Sequence, residues 1–239
     1  DVEGVYTADP RIVPSARKLH AVSYEEMLEM AASGARVLQL RSVEYARGAG
    51  ILLHVRSSFS DASGTWVREE DERMEQAIIS GVTHDDSEAK ISIEGIPNDP
   101  GVAARVFRAV ADEGIGVDMI VQNAVRDGRT DISFTVSKED LAHAQSVIES
   151  IVDEIGAQRF TADAGIAKVS LVGAGMKTHP GVQAEMFAAL AEAGVEDIEM
   201  ISTSSVRITC LIPAAKIESA VRTLHERFSL SAESAIREH

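Results

Sequence analysis

One cysteine in 239 residues, Cys210, leaves no room for an internal disulfide framework or a cysteine-built zinc site. Its setting, Val206-Arg-Ile-Thr-Cys-Leu-Ile, reads as the filler of a buried strand. No run of eighteen apolar residues occurs, so no membrane-spanning helix and no membrane partner are expected. Bases are scarce: 23 Lys and Arg stand against 38 Asp and Glu, for a net charge of −15. Affinity for a phosphate backbone comes from Lys and Arg, so no nucleic-acid partner is expected either. Such a charge suits a freely soluble, cytoplasmic protein. The histidines (His20, His54, His84, His143, His179, His225 and His239) show no metal-ligand spacing on one element, and no metal site is assigned. GxSxG, HExxH and P-loop patterns are missing. Gly173-Ala-Gly-Met-Lys-Thr-His-Pro-Gly is glycine-rich, but Thr178 stands where a dinucleotide fingerprint has its last glycine. The opening Asp1-Val-Glu-Gly is neither basic nor apolar and has no Met. It predicts no signal peptide and reads as a portion of something longer.

What is present is an internal repeat, and it decides the fold class. Ala89-Lys-Ile-Ser-Ile-Glu-Gly returns as Ala167-Lys-Val-Ser-Leu-Val-Gly, and Asp99-Pro-Gly-Val-Ala-Ala as His179-Pro-Gly-Val-Gln-Ala. Phe107 returns as Phe187, and Asp118-Met-Ile as Glu199-Met-Ile, a period of about 80 residues. Each copy opens on an alternating strand (Ile91, Ile93; Val169, Leu171) and a loop ending in Pro-Gly. A helix follows, apolar at Val102, Val106, Phe107 and Val110, or at Val182, Met186, Phe187 and Leu190. Gly114 and Gly194 sit where a left-handed C-terminal residue is needed. Strands at 117–121 and 131–136, and at 198–201 and 206–212, precede second helices at 141–155 and 216–228. With a closing strand this is βαββαβ, the ferredoxin-like order. The fold class is α+β. Units of about 70 to 80 residues have small cores and gain by packing together. The exposed edges of such four-stranded sheets predict side-by-side modules joined in a continuous sheet.

Residues 1–68 differ from the repeat. Ser23, with Glu26 three residues on, predicts a capping box over a helix carrying Met27, Met30 and Ala31 and ending at Gly34. A second helix over 37–47 and short strands at 51–56 and 66–68 follow, with a Ser-rich loop between the strands. The charge run Glu69-Glu-Asp-Glu-Arg reads as a linker, 69–76. The first module then covers 77–160 and the second 161–239. The strand at 77–83 precedes the first module's own opening strand and is expected to join the second module's sheet.

Two places suggest chemistry. Each Pro-Gly turn leads into a helix whose free N–H groups attract carboxylates. An amino acid needs such a site and a partner for its ammonium, which Asp118 and Glu199 could provide. A plain strand-to-helix turn also explains these residues. Val5-Tyr-Thr-Ala-Asp-Pro-Arg places Tyr, Asp and Arg together, able to stack on a base and contact ribose and phosphate. From spacing alone, a surface loop is the better explanation.

Asp1-Val-Glu-Gly-Val-Tyr-Thr-Ala-Asp-Pro-Arg closely resembles the nucleotide-binding segment of aspartate kinases, in the amino-acid kinase family. Arg41-Ser-Val-Glu-Tyr-Ala-Arg, Val55-Arg-Ser-Ser-Phe-Ser, Val121-Gln-Asn, Met176-Lys-Thr-His-Pro-Gly-Val and Ile201-Ser-Thr-Ser extend the resemblance, in order, along the whole chain. It is nearest the actinobacterial type inhibited by lysine and threonine. The resemblance implies two ACT modules behind the C-terminal portion of a kinase domain. It implies an ATP- and Mg²⁺-dependent phosphorylation of L-aspartate, with L-threonine and L-lysine as effectors. It also implies a homodimer through the ACT modules, or a hetero-oligomer with full-length kinase. Asp1, Tyr6, Thr7, Ala8, Asp9, Pro10 and Arg11 would line the nucleotide, with Arg36 and Val37 near its phosphates, Arg36 standing where Lys is usual. Asn98, Asp99, Pro100, Gly101, Val102, Ala103, Gly116, Val117, Asp118 and Gln122 would form the first effector site. Val182, Gln183, Asp197, Ile198, Ser204 and Ser205 would form the second. Asn98, Gly116 and Ser205 replace residues usual there, and Val195-Glu-Asp-Ile carries one residue extra; weakened or respecified feedback follows as an expectation. No catalytic residue is assigned, because the family's Lys-Phe-Gly-Gly-Thr-Ser stretch and its aspartate-holding residues are missing from these 239 residues.

Overall fold

The computed structural model describes residues 2–70 and 78–232. They divide into two compact units: residues 1–85 with 168–239, and residues 86–167. Residues 71–76 of the expected linker, 69–76, and residue 77, where a strand was expected to open, lie outside the described residues.

The second unit is one complete βαββαβ module. Strand β5 (Glu88–Pro97) leads to helix α3 (Pro100–Asp112), strands β6 (Ile120–Gln122) and β7 (Arg129–Ser137), helix α4 (Leu141–Ile151) and strand β8 (Arg159–Asp163). The sheet order is β6-β7-β5-β8. Ile91, Ile93, Phe134 and Val136 point from the sheet toward Val102, Val106 and Val110 of α3 and Ile148 of α4, all fully or almost fully buried. Each such side chain contributes about 1.5–3 kcal/mol by leaving water. Phe107 lies edge-on to Phe134, with ring centroids 5.5 Å apart. The boundary expected at 160 falls inside β8, whose Phe160 and Ala162 pair with Ile93 and Ile91. The expected strand at 117–121 is shorter and later, because the chain after Gly116 makes only single bonds to β7 before Ile120 pairs with Phe134.

The first unit holds two cores. Strand β1 (Ala21–Ser23) enters helix α1 (Tyr24–Ala32), followed by helix α2 (Leu40–Gly48) and strands β2 (Leu53–Val55) and β3 (Thr65–Arg68), in sheet order β1-β3-β2. Helix α2 starts three residues later than expected. Val22, Tyr24, Met27, Met30, Val43, Val55 and Val67 form this core, and Val172 closes it. The capping box at Ser23 is present: Glu26 N–H donates to Ser23 Oγ, and Ser23 N–H to the Glu26 carboxylate. Gly34 has φ +96°, and a Cβ there would stand 2.1 Å from the His84 carbonyl oxygen.

The other core is a second βαββα module: β9 (Ile166–Val172), α5 (Val182–Glu192), β10 (Met200–Thr203), β11 (Arg207–Pro213) and α6 (Ile217–Arg227). Its fourth strand is β4 (Gly81–Asp85), antiparallel to β9 from Gly81↔Val172 to Asp85↔Lys168, in the order β10-β11-β9-β4. Strand β4 thus occupies in this module the place that β8 occupies in the other. The core contains Val82, Val169, Leu171, Met186, Leu190, Cys210, Ile212, Val221 and Leu224, and it takes in Ala8 and Val13 from the N-terminal loop.

Candidate functional site

The N-terminal loop is built on Thr7. Its N–H donates to the Arg17 carbonyl (2.9 Å), its hydroxyl accepts from Arg17 N–H (2.9 Å), and its carbonyl accepts from Val82 N–H of β4 (2.8 Å). Thr7 Oγ1 also lies 3.0 Å from Nε2 of His225 on α6. Thr7 and Ala8 are buried, so their side chains hold the loop from beneath instead of lining an open surface. The accessible members are Tyr6, Asp9, Pro10 and Arg11. The Asp9 carboxylate accepts from Arg11 N–H (2.9 Å) and pairs with its guanidinium (2.6 Å), which holds its pKa below the usual carboxylate range. Partial burial, then the nearby Glu3 carboxylate, pushes the Tyr6 hydroxyl pKa up. Arg36 is exposed two residues beyond Gly34, and Val37 packs on the α1–α2 core. Asp1 lies outside the described residues.

In the first module the expected effector residues fall at two ends of the sheet. Asp99 caps α3 itself, its Oδ1 accepting from Gly101 N–H at 2.8 Å. Asn98 N–H donates to the Gly128 carbonyl, which ties this turn to the end of the sheet where Gln122 lies. Asp118 N–H donates instead to Thr135, whose strand partner is Lys90, seven residues upstream of Pro97. That separation is roughly 20 Å along the strand, more than one amino acid spans. Gly116–Asp118 and the Pro100–Gly101 turn therefore stand at opposite ends of one module. Val102 is core; Ala103 and Val117 pack against it; Gly116 is exposed with open space beside it. A groove of about 400 Å³ between α3 and α4, rimmed by Arg105, Arg108, Asp112 and Glu154, includes none of the expected residues.

The second module brings two of its expected residues together. Gln183 and Ser204 share a cleft of about 310 Å³ with Met176, Pro180, Thr203 and Ile208. No side chain caps α5 at this end. His179, in the place of Asp99, points the other way: its Nδ1 lies 2.9 Å from the Gly175 carbonyl and 3.0 Å from Thr178 Oγ1. No side-chain carboxylate therefore caps the start of α5; its first-turn acid, Glu185, pairs with Arg227 instead. Val182 is buried in the core and Ile198 packs on it. Asp197 is exposed before β10, at the far end of that strand from Ser204, and Ser205 is exposed in the β10–β11 turn.

Two acids on α1 were not foreseen as site residues. Glu26 was assigned only its cap. Its buried carboxylate also accepts from Ser80 Oγ–H and from Ala174 N–H (3.3 Å), at the start of the 3₁₀ turn that carries Met176. Glu29, one turn on, accepts from Ser204 Oγ–H (2.8 Å) and pairs with Arg207 (3.1 Å). No periodicity marks these contacts, because they join residues at least 54 positions apart. His225 carried no signal in the sequence beyond being one of the histidines without metal-ligand spacing.

The ACT domain family matches residues 90–151 and 169–228, and the amino acid kinase family matches residues 1–57. Aspartokinase from Mycolicibacterium smegmatis is 53% identical over 234 residues, 96% of this chain and 55% of that protein. The ligand-free regulatory subunit of aspartate kinase from Thermus thermophilus is 44% identical, over 63% of this chain and 99% of that one, with a TM-score of 0.60. Aspartokinase III from E. coli, with aspartate and ADP or with lysine and aspartate, is 27% identical over 95% of this chain and 50% of that one. The TM-scores are 0.81 and 0.77. Fold and site define a pair of ACT modules carried on a segment of an amino-acid kinase domain. The chain belongs to the aspartokinase family. It spans about half the length of the full aspartokinases it matches.

Proposed function

We propose that this chain is the feedback-control region of an aspartate kinase, together with the nucleotide-binding end of its catalytic domain. The whole protein would act in the cytoplasm. It would transfer the γ-phosphoryl group of ATP to the β-carboxylate of L-aspartate, giving 4-phospho-L-aspartate for lysine, threonine and methionine synthesis. The observation that carries the regulatory part is the cleft where Gln183 and Ser204 converge on the uncapped start of α5. The Gln183 amide, the Ser204 hydroxyl and the first-turn N–H groups are donors suited to an amino-acid carboxylate. L-lysine and L-threonine are the proposed effectors; E. coli aspartokinase III, a relative, binds lysine.

The first module supports a homodimer. Its Pro100–Gly101 turn and its Asp118 lie too far apart to hold one amino acid, so a complete site draws its second half from another copy of the chain. In the kinase segment, Tyr6, Asp9, Pro10 and Arg11 would face the nucleotide, with Arg36 as a further cation toward its phosphates. Mg²⁺ would accompany those phosphates and neutralise charge during transfer. Thr7 and Ala8 position the loop. The 239-residue chain alone has one wall of a nucleotide site and is expected not to turn over, because transfer needs both reactants fixed.

Calorimetry with L-lysine and L-threonine, singly and together, tests the reading. Binding of at least one, with sedimentation showing a dimer in its presence, is expected. Aspartyl hydroxamate formed by the purified chain from ATP, L-aspartate and hydroxylamine would overturn the inactivity. Absence of binding by both amino acids would overturn the effector assignment.

A further inference from the structure

Ser204 faces two ways. Its side chain lines the cleft of the second module, and its hydroxyl proton is already given to Glu29 of the kinase segment at 2.8 Å. A hydroxyl has one proton to donate. A carboxylate entering the cleft and the Glu29 carboxylate therefore compete for the same donor. Arg207, on the next strand, also holds Glu29, at 3.1 Å. Glu29 presents the same chemical group as an amino acid's α-carboxylate, on a helix rather than on a free ligand.

We propose that Glu29 is a tethered competitor for the α-carboxylate of an amino acid in this cleft, so that ligand binding releases α1 from the second module. This rests on the proposed amino-acid control and adds how the cleft reports to the kinase segment. The geometry suits release and re-seating. Glu29 is on the last half of α1, whose other end is pinned by Glu26 to Ser23, Ser80 and Ala174. Ala174 opens the turn carrying Met176, so α1 is bonded both to the turn that supplies Met176 and to Ser204 itself. Beyond α1 lies Gly34, packed against the His84 carbonyl, and then Arg36. Displacing the C-terminal half of α1 moves the residues that carry Arg36, the cation proposed near the phosphates. A donor that is closed on Glu29 about nine-tenths of the time weakens the ligand about tenfold, since apparent affinity scales with the open fraction.

The prediction has an unusual sign: removing a contact to the site tightens binding. L-lysine and L-threonine are titrated by calorimetry into the full 239-residue chain, its Glu29→Ala variant and its Glu29→Gln variant. Circular dichroism confirms that each is folded. Glu29→Ala should bind about tenfold tighter, and Glu29→Gln, which keeps an acceptor but loses the charge, should fall between. Ser204→Ala should weaken binding in both backgrounds. The single tryptophan, Trp66, pairs with Ala21 of β1, which leads into α1. Its emission should change on saturation in the wild type and stay constant in Glu29→Ala. Equal or weaker binding by Glu29→Ala overturns the proposal and leaves amino-acid control standing. So does binding that is indifferent to Ser204→Ala, which puts the ligand elsewhere. No binding by any of the chains overturns both.

Discussion

A buried pair, Thr7 and His225, joins the N-terminal loop to the second ACT module, and it makes stability depend on pH. Burial lowers the His225 pKa, with Glu226 opposing in part. The unfolded chain therefore takes up a proton that the folded chain resists. The pair's contribution is complete above the ordinary histidine pKa of about 6.5 and is lost as pH falls below it. Urea midpoints measured from pH 8 to pH 5 should decline below that point, and His225→Gln should flatten the decline. Asp9, lowered mainly by its hydrogen bonds to Arg11, acts in a separate, more acidic window: its contribution disappears only as pH falls through the lowered carboxylate pKa. Cys210 is fully buried and its thiol is pushed up to about 12. Iodoacetamide at pH 8 should not label it in the native chain and should do so on unfolding, which mass spectrometry reads directly. Gly34→Ala should destabilise the first unit by about 3 kcal/mol or more, because the residue must keep a left-handed φ and its Cβ would meet the His84 carbonyl.

At the scale of elements, the repeat hides an asymmetry. Helices α3 and α5 follow the same Pro-Gly turn, but Asp99 caps the first and His179 does not cap the second. Asp99→Ala should cost the first module about 1 kcal/mol in chemical denaturation, whereas His179→Ala should leave α5 almost unchanged. The difference also decides where an external carboxylate fits, since Asp99 already fills its own helix start. The sequence showed the turn twice and could not show which way the residue before proline points. The helices themselves were legible because Val102, Val106 and Val110 repeat at helical spacing, as do Val182, Met186 and Leu190. The short strands β6 and β10 were placed three and two residues early. Val117 and Ile198 are apolar enough to begin a strand, but they pack on the core from a loop.

For the whole molecule, chain order and spatial order part company. Strand β8 completes the first module from its own C-terminal end, while the second module takes β4 from before the first. Residues 86–167 should therefore fold alone as a cooperative unit. Residues 168–232 should not, because one edge of β9 is left unpaired and Ala8, Val13 and Val82 are missing from the core. Fusing residues 78–85 to that fragment should recover part of its structure. Far-ultraviolet dichroism and thermal melts of the three fragments check this, and a cooperative melt from 168–232 alone would contradict it.

Local pattern determined what each piece is. Two copies of one apolar period imply two ferredoxin-like modules, and Asp1–Arg11 with its companions implies the kinase segment, because hydrophobic spacing and short motifs are local properties. Tertiary structure alone decided which residues of those motifs face solvent. Thr7, Ala8, Val102 and Val182 belong to recognisable motifs but are buried. Gln183 and Ser204 meet only because α5 begins at the end of the sheet where β10 finishes. Glu26 and Glu29 reach the second module through bonds spanning 148 and 175 positions. A contact of that kind depends on how the chain closes on itself, and neither residue type nor spacing encodes it.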